Sequence, residues 1–177
     1  MNSLKKIRLE ISHNLTKLGG QGPILVHSDV MGALGLIEKK FNSLEILKSH
    51  VASIEEIIGE RDAYFPTFNY DFPLSHNFNV ETDPSQVGVL SEYYRKHVSS
   101  WRSSTPILSV CGKIALDINE VDPKKLTTID PFGNNSFFDY LYKARGLVFF
   151  YGARIETFTG IHFAEQLSGG PLYRYDK

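Results

Sequence analysis

Apolar residues follow two different spacings along this chain. Leu4, Ile7, Ile11, Leu15 and Leu18 recur at helical intervals, which predicts an amphipathic helix over 3–18 with Ser3 as N-cap and Gly19-Gly20 as its stop. After Gly22-Pro23 the run Ile24-Leu25-Val26 is short, branched and apolar, and it passes at once into His27-Ser28-Asp29. That is a buried strand feeding a polar loop. Helical spacing returns in a short helix over 31–40, then in a stronger one capped by Ser43 that runs through Leu44, Leu47, Val51, Ile54 and Ile58 to Gly59. Ala63-Tyr64-Phe65 reads as a second strand, entering the aromatic segment Pro66-Thr67-Phe68-Asn69-Tyr70-Asp71-Phe72. From Phe72 to Asp83 no period is visible, which predicts a long connection of the kind that often carries function.

Ser85 is placed to cap a helix through Val87, Leu90, Tyr93 and Tyr94, whose last turn carries Arg95-Lys96-His97, a favourable complement to the helix dipole. Trp101 to Pro106 leads into a third strand over 107–111, with Ile114 to Leu116 continuing it or pairing with it. Pro123 to Thr128 reads as polar connection. Asp130-Pro131-Phe132-Gly133-Asn134-Asn135-Ser136 is dense turn chemistry, with Gly133 suited to positive φ and Asn135 or Ser136 to cap a helix through Phe137, Phe138, Leu141 and Tyr142. Such a turn offers backbone amides to an anion or a carbonyl oxygen. Gly146 ends this helix, and Leu147-Val148-Phe149-Phe150-Tyr151 reads as a fourth strand.

Strands alternating with helices imply one α/β domain over 1–177, a layered fold with a mainly parallel or mixed central sheet flanked by helices. In such sheets ligands gather beyond the carboxyl ends of the strands. The polar segments 27–29, 66–71 and 152–162 each follow a strand and are expected to converge on one edge.

The last of these segments carries the candidate chemistry. In a helix over 159–167, Thr159, His162 and Glu165 fall three residues apart and share an arc, while Ile161 and Phe163 point elsewhere. A histidine beside a carboxylate and a hydroxyl suits general-base work, because imidazole titrates near neutrality and the carboxylate can hold its tautomer. By spacing alone the same triplet also reads as an ordinary solvated helix start with Thr159 as N-cap.

Composition narrows the function classes. With 19 basic and 20 acidic residues the formal net charge is -1, so no overall field draws the chain to nucleic acid or an anionic membrane. The single cysteine, Cys111, rules out an internal disulfide and a cysteine cluster for zinc, and its apolar surroundings predict a buried structural thiol. One His-x-x-Glu pair supplies too few ligands for a metal centre, so no metal is expected. Nothing near Met1 reads as a signal peptide or spanning helix, and a cytoplasmic location is expected.

Six stretches, ILVHSDV at 24–30, YFPTFNYDF at 64–72, VGVLSEYYRK at 87–96, RSSTPILSVCG at 102–112, DPFGNNSFFDYL at 130–141 and TGIHFAE at 159–165, resemble in order the aminoglycoside 3-N-acetyltransferase family. The resemblance implies transfer of an acetyl group from acetyl-coenzyme A to an amine on a sugar, with His162 as catalytic base supported by Thr159 and Glu165. It also implies a cofactor site that takes in His27, Ser28, Thr67, Phe132, Gly133 and Ser136, with donors near Gly133 or Thr67 for the thioester oxyanion.

The sequence departs from the family pattern at Asp29, where a second serine is usual and a carboxylate would repel coenzyme A phosphates unless it points away. The proline motif is flanked by Thr105 and Leu108 in place of the usual histidines. Family members also continue past the His-x-x-Glu helix. A chain ending at Lys177 is therefore expected to be a fragment or a short member, its site completed by other means such as a homo-oligomer docked through Tyr173 and Tyr175. Only Asp29, Asp71 and Glu156 stand beside the motifs, which favours an amino-sugar precursor over a polycationic antibiotic as acceptor. The alternative is a catalytically impaired, shortened relative serving as a binding or assembly module.

Overall fold

The computed structural model describes residues 3–19, 21–38, 42–118 and 130–170. The predicted connection over Pro123 to Thr128, Gly20, the end of the predicted 31–40 helix, and Tyr173 and Tyr175 lie outside these residues. Five strands, β1 (Ile24–Ser28), β2 (Ala63–Pro66), β3 (Trp101–Arg102), β4 (Val110–Gly112) and β5 (Leu147–Tyr151), form one sheet in the order β3-β4-β2-β1-β5. Strand β1 is parallel to both β2 and β5, and β4 is antiparallel to β2 and β3. The sheet is thus mixed and is flanked by helices, as the alternation of elements implies.

Period-two alternation decides which helix covers which face. Ile24, Val26, Phe65, Cys111 and Tyr151 share a buried cluster with Leu15 of α1 (Ser3–Lys17), Val51, Ile54, Ile57 and Ile58 of α2 (Ser43–Ile58), and Leu90 and Tyr94 of α4 (Val89–His97). Leu25, Tyr64 and Val110 point the other way, onto Phe137, Phe138 and Leu141 of α5 (Phe137–Lys143) and Phe163 of α6 (Ile161–Leu167). A single-turn helix, α3 (Phe72–Ser75), interrupts the long connection after β2. Cys111 is fully buried, and burial pushes its thiol up to about 12, so it is an inert core group.

Several element boundaries differ from the sequence reading for local reasons. The cap of α2 is Asn42, whose side chain accepts from the Leu44 amide at 2.8 Å, and Ser43 is the first helical residue. Helix α4 starts at Val89, not near Ser85: Ser85 bonds to the side chain of Glu92 through its amide (2.7 Å), and Gly88, at φ 102, makes the turn into the helix. Over 31–38 there is only a 3-10 turn, Leu34–Leu36. The expected strand over 107–111 is split: 107–109 is not strand, Val110–Gly112 is β4, and it pairs with Trp101–Arg102, read from sequence as a lead-in. Ser136 does cap α5, accepting from the Asp139 amide, but the left-handed residue of that turn is Asn135 (φ 61), with Gly133 in an ordinary conformation.

Candidate functional site

Strand order sets the place of the site. The chain leaves β1 for β2 on one side and returns as β5 on the other, so a crevice opens at the carboxyl ends of these three parallel strands. A cleft of about 700 Å³ lies there, lined by His27 to Val30 at the end of β1 and just beyond it, Pro66, Phe68 and Tyr70 at the end of β2 and beyond it, and Ala153, Arg154, Glu156, Thr157 and Thr159 after β5. Segments 27–29 and 66–71 converge there as expected, and so does 152–162 as far as Thr159, with His162 outside the lining. Val87 to Leu90, at the start of α4, complete the lining.

The floor is fixed by backbone contact. Gly152, at φ 71, sits so close to the 29–33 turn that a Cβ would meet the Asp29 carbonyl and come within 2.5 Å of the Ala33 amide nitrogen. Asp29 turns its carboxylate back on that turn, accepting from the Met31 amide at 2.9 Å. One oxygen is thereby held on its own backbone, while Asp29 remains among the lining residues.

Three buried polar atoms in the lining side chains have no hydrogen-bond partner: His27 Nε2, Ser28 Oγ and Thr159 Oγ1. Buried polar groups are nearly always satisfied, and half of the six unpartnered buried side-chain atoms among the described residues belong to residues of this one cleft. His27 follows Leu25 on the α5 side of the sheet, where its ring stacks on Phe150 (5.6 Å) and meets the edge of Phe158 (6.3 Å). Burial lowers its pKa to about 4, so it is neutral at physiological pH. Helix α4 starts at the cleft lining with no side-chain cap, and the first-turn amides of a helix have no partner within the helix. Sequence reading missed this donor set because serine outranks glycine as a cap; the isolated Gly88 ahead of an apolar helix was the available signal.

His162 lies near the start of α6, three residues beyond the cleft-lining Thr159, and is not itself part of the lining. Its Nδ1 is 3.0 Å from Glu165 Oε2, and its ring meets that of Phe132 edge-on at 5.9 Å. With Nδ1–H donated to the carboxylate, Nε2 carries the lone pair. Thr159 is not the cap of α6; Gly160 holds that position with no side-chain bond, so the capped-helix reading of the triplet fails.

The remaining predicted residues are placed apart from the cleft. Thr67 is fully buried, its amide on the Ser109 carbonyl at 2.7 Å and its hydroxyl between Ser109 and Arg102. Around Phe132, Gly133 and Ser136 the turn satisfies itself. The Phe132 amide donates to Asp130 Oδ1, the Gly133 amide to the Asp130 carbonyl, the Asn135 amide to Asp139 Oδ2, and the Ser136 amide to the Gly133 carbonyl. The amides expected to cradle an anion are thus engaged within the turn. Among the described residues no group of three or more His, Cys, Asp or Glu could hold a metal ion, and no helix is long and apolar enough to cross a membrane.

Two buried imidazoles give the fold a pH dependence. His50 is fully buried with Nδ1 on the Tyr151 hydroxyl at 2.9 Å, and burial lowers its pKa as it does that of His27. Both take up a proton more readily when unfolded, so their contribution is complete above about pH 6.5 and shrinks as pH falls; for His27 it is lost as pH approaches 4. For His27 alone this amounts to about 3 kcal/mol at the acid end. Urea midpoints between pH 7.5 and 4.5 should fall accordingly, and His27→Gln should flatten the curve.

A family model described as aminoglycoside 3-N-acetyltransferase matches residues 52–177. No curated protein matches the sequence. Among solved structures, the AAC-IIIb binary complex with CoASH is similar at a TM-score of 0.59 and 20% identity, covering 90% of this chain and 64% of that one. Aminoglycoside acetyltransferase AAC(3)-Xa is similar at 0.62 and 21%, covering 90% and 61%. Sisomicin-bound AAC-VIa is similar at 0.60 and 17%, covering 89% and 64%. The chain thus spans 61–64% of the length of these structures.

Proposed function

The chain belongs to the aminoglycoside 3-N-acetyltransferase family, and on that premise we propose that it transfers the acetyl group of acetyl-coenzyme A directly to the amine of an amino sugar, using the cleft as donor site and His162 as general base. The observation that carries this reading is the convergence of His27 Nε2, Ser28 Oγ and Thr159 Oγ1, all buried and unpartnered, on a largely apolar cleft at the topological switch of the sheet. A pantetheine arm with its amides and a thioester needs such a surface: apolar walls with a few fixed polar contacts.

His162 Nε2 takes the proton from the attacking amine, which must be neutral to be nucleophilic, and Glu165 stabilises the imidazolium that forms. The nitrogen bonds to the thioester carbonyl carbon, the carbon–sulfur bond breaks, and the thiolate leaves with coenzyme A. Oxyanion donors come from the uncapped first turn of α4, since the amides at Gly133 and Thr67 are engaged elsewhere. His27, kept neutral by burial, hydrogen-bonds the bound thioester substrate and carries no charge of its own.

The acceptor is proposed to be an amino sugar of low positive charge. Each acidic side chain beside the cleft already has a partner: Asp29 on its own turn, Asp71 on Gln86 at 2.7 Å, and Glu156 on Arg154 at 3.0 Å. Only Glu156 is met by an opposite charge, and three carboxylates are few for a polycation. The test is thioester consumption against a panel of amino sugars and aminoglycosides, with solution mass measured alongside. Turnover with singly charged amino sugars supports the reading; coenzyme A binding with no turnover on any acceptor favours the binding-module alternative.

A further inference from the structure

We infer that Arg102 is the positioning residue of the cleft's aromatic wall, which it holds in the conformation that receives coenzyme A. The inference rests on the cleft being the coenzyme A site. Arg102 is only 6% exposed, and it departs from the usual placement of a buried guanidinium against a carboxylate. Its donors go to the segment after β2: Nε to Thr67 Oγ1 at 3.2 Å, Nη2 to the Thr67 carbonyl at 2.5 Å, and Nη1 to the carbonyls of Val80 (3.2 Å) and Asp83 (2.6 Å). The Phe78 ring lies 4.7 Å from its Cζ, so the charge is met by carbonyls, a hydroxyl and a ring face.

These bonds join two ends of one long connection. Thr67 sits between Pro66 and Phe68, which both line the cleft. Asp83 leads into Gln86, whose amide bonds the Phe68 carbonyl at 3.0 Å and whose side chain accepts from the Tyr70 amide at 2.5 Å. The wall of Phe68 and Tyr70 and the turn into α4 at Gly88 are thus both referred to one guanidinium, which is anchored in the sheet by the pairing of Arg102 with Cys111. Lysine cannot replace it, because four acceptors exceed the three donors of an ammonium and are met by the five of a guanidinium.

In Arg102→Lys the coenzyme A dissociation constant should rise roughly tenfold or more, the order expected when a binding wall is displaced. The amides of Asn69, Tyr70 and Gln86 should lose hydrogen-exchange protection while Leu25 and Val26 in β1 keep theirs. Thr67→Val, which removes only the hydroxyl acceptor, should move both readouts the same way by less, and it serves if the lysine variant does not fold. Unchanged affinity, or protection lost equally in β1, would overturn the inference. If the wild-type chain fails to bind coenzyme A, the proposed function falls, and exchange alone decides: selective loss over the connection upholds Arg102 as its anchor, and uniform or absent loss refutes it.

Discussion

Replacing His162 with alanine is expected to lower acetyl transfer by about 10²–10⁴-fold, the usual cost of removing a general base. Coenzyme A affinity and melting temperature should stay nearly unchanged. The imidazole side chain is 43% exposed and its partner Glu165 33% exposed, and ion pairs with such access to water contribute about 0–1 kcal/mol to stability. The loss should therefore appear in turnover and not in folding or donor binding. Glu165→Gln should reduce the rate less, since an amide still accepts the Nδ1 proton but gives the imidazolium no counter-charge. Activity within about tenfold of wild type in His162→Ala would make His162 structural.

The second large effect falls on stability. Gly152→Ala should cost about 3 kcal/mol or more, a substantial part of an ordinary domain's 5–15 kcal/mol. Two penalties combine. The φ of 71 is strained for any residue with a Cβ, and the added carbon would meet the Asp29 carbonyl and the Ala33 amide nitrogen, neither of which can yield without moving the turn that carries Asp29. A urea titration measures the loss, and a change below about 0.5 kcal/mol, the range of an ordinary surface substitution, would show that the turn gives way. Gly35, with open space around its Cβ position and no positive φ, is the control that should tolerate alanine.

Hydrophobic period carried much of the fold in the sequence. The runs Ile24-Leu25-Val26 and Leu147 to Tyr151 are apolar on both faces because helices cover both sides of the sheet there, and such strands announce themselves. Trp101-Arg102 did not. Two residues are too short for a period, and Arg102 reads as a solvent residue until the carbonyls that receive it are in place. Caps were misplaced where neighbouring residues compete: Asn42 beside Ser43, and Gly88 after Ser85. The winner depends on the backbone angle of entry, which tertiary packing sets.

The candidate site was legible in part for the same reason. Segments that follow strands can be assigned to one edge from topology alone, so the approach of 27–29, 66–71 and 152–162 to a single cleft followed from the alternation of elements, except that the last stops lining it at Thr159. Spacing along α6 also brought His162 and Glu165 together. What sequence could not show is which polar groups are already satisfied. The turn over 130–136 has the composition of an anion cradle, yet Asp130 and Asp139 occupy its amides, whereas the hydroxyls of Ser28 and Thr159 are left without partners.

Amide chemical-shift mapping during a coenzyme A titration reports both whether the donor binds and where. Saturable shifts are expected at residues 28–30, 88–90 and 153–159, around the cleft at the carboxyl ends of β1, β2 and β5. Absence of binding, or shifts centred on the Phe132 to Ser136 turn with the cleft silent, would contradict the proposed donor site.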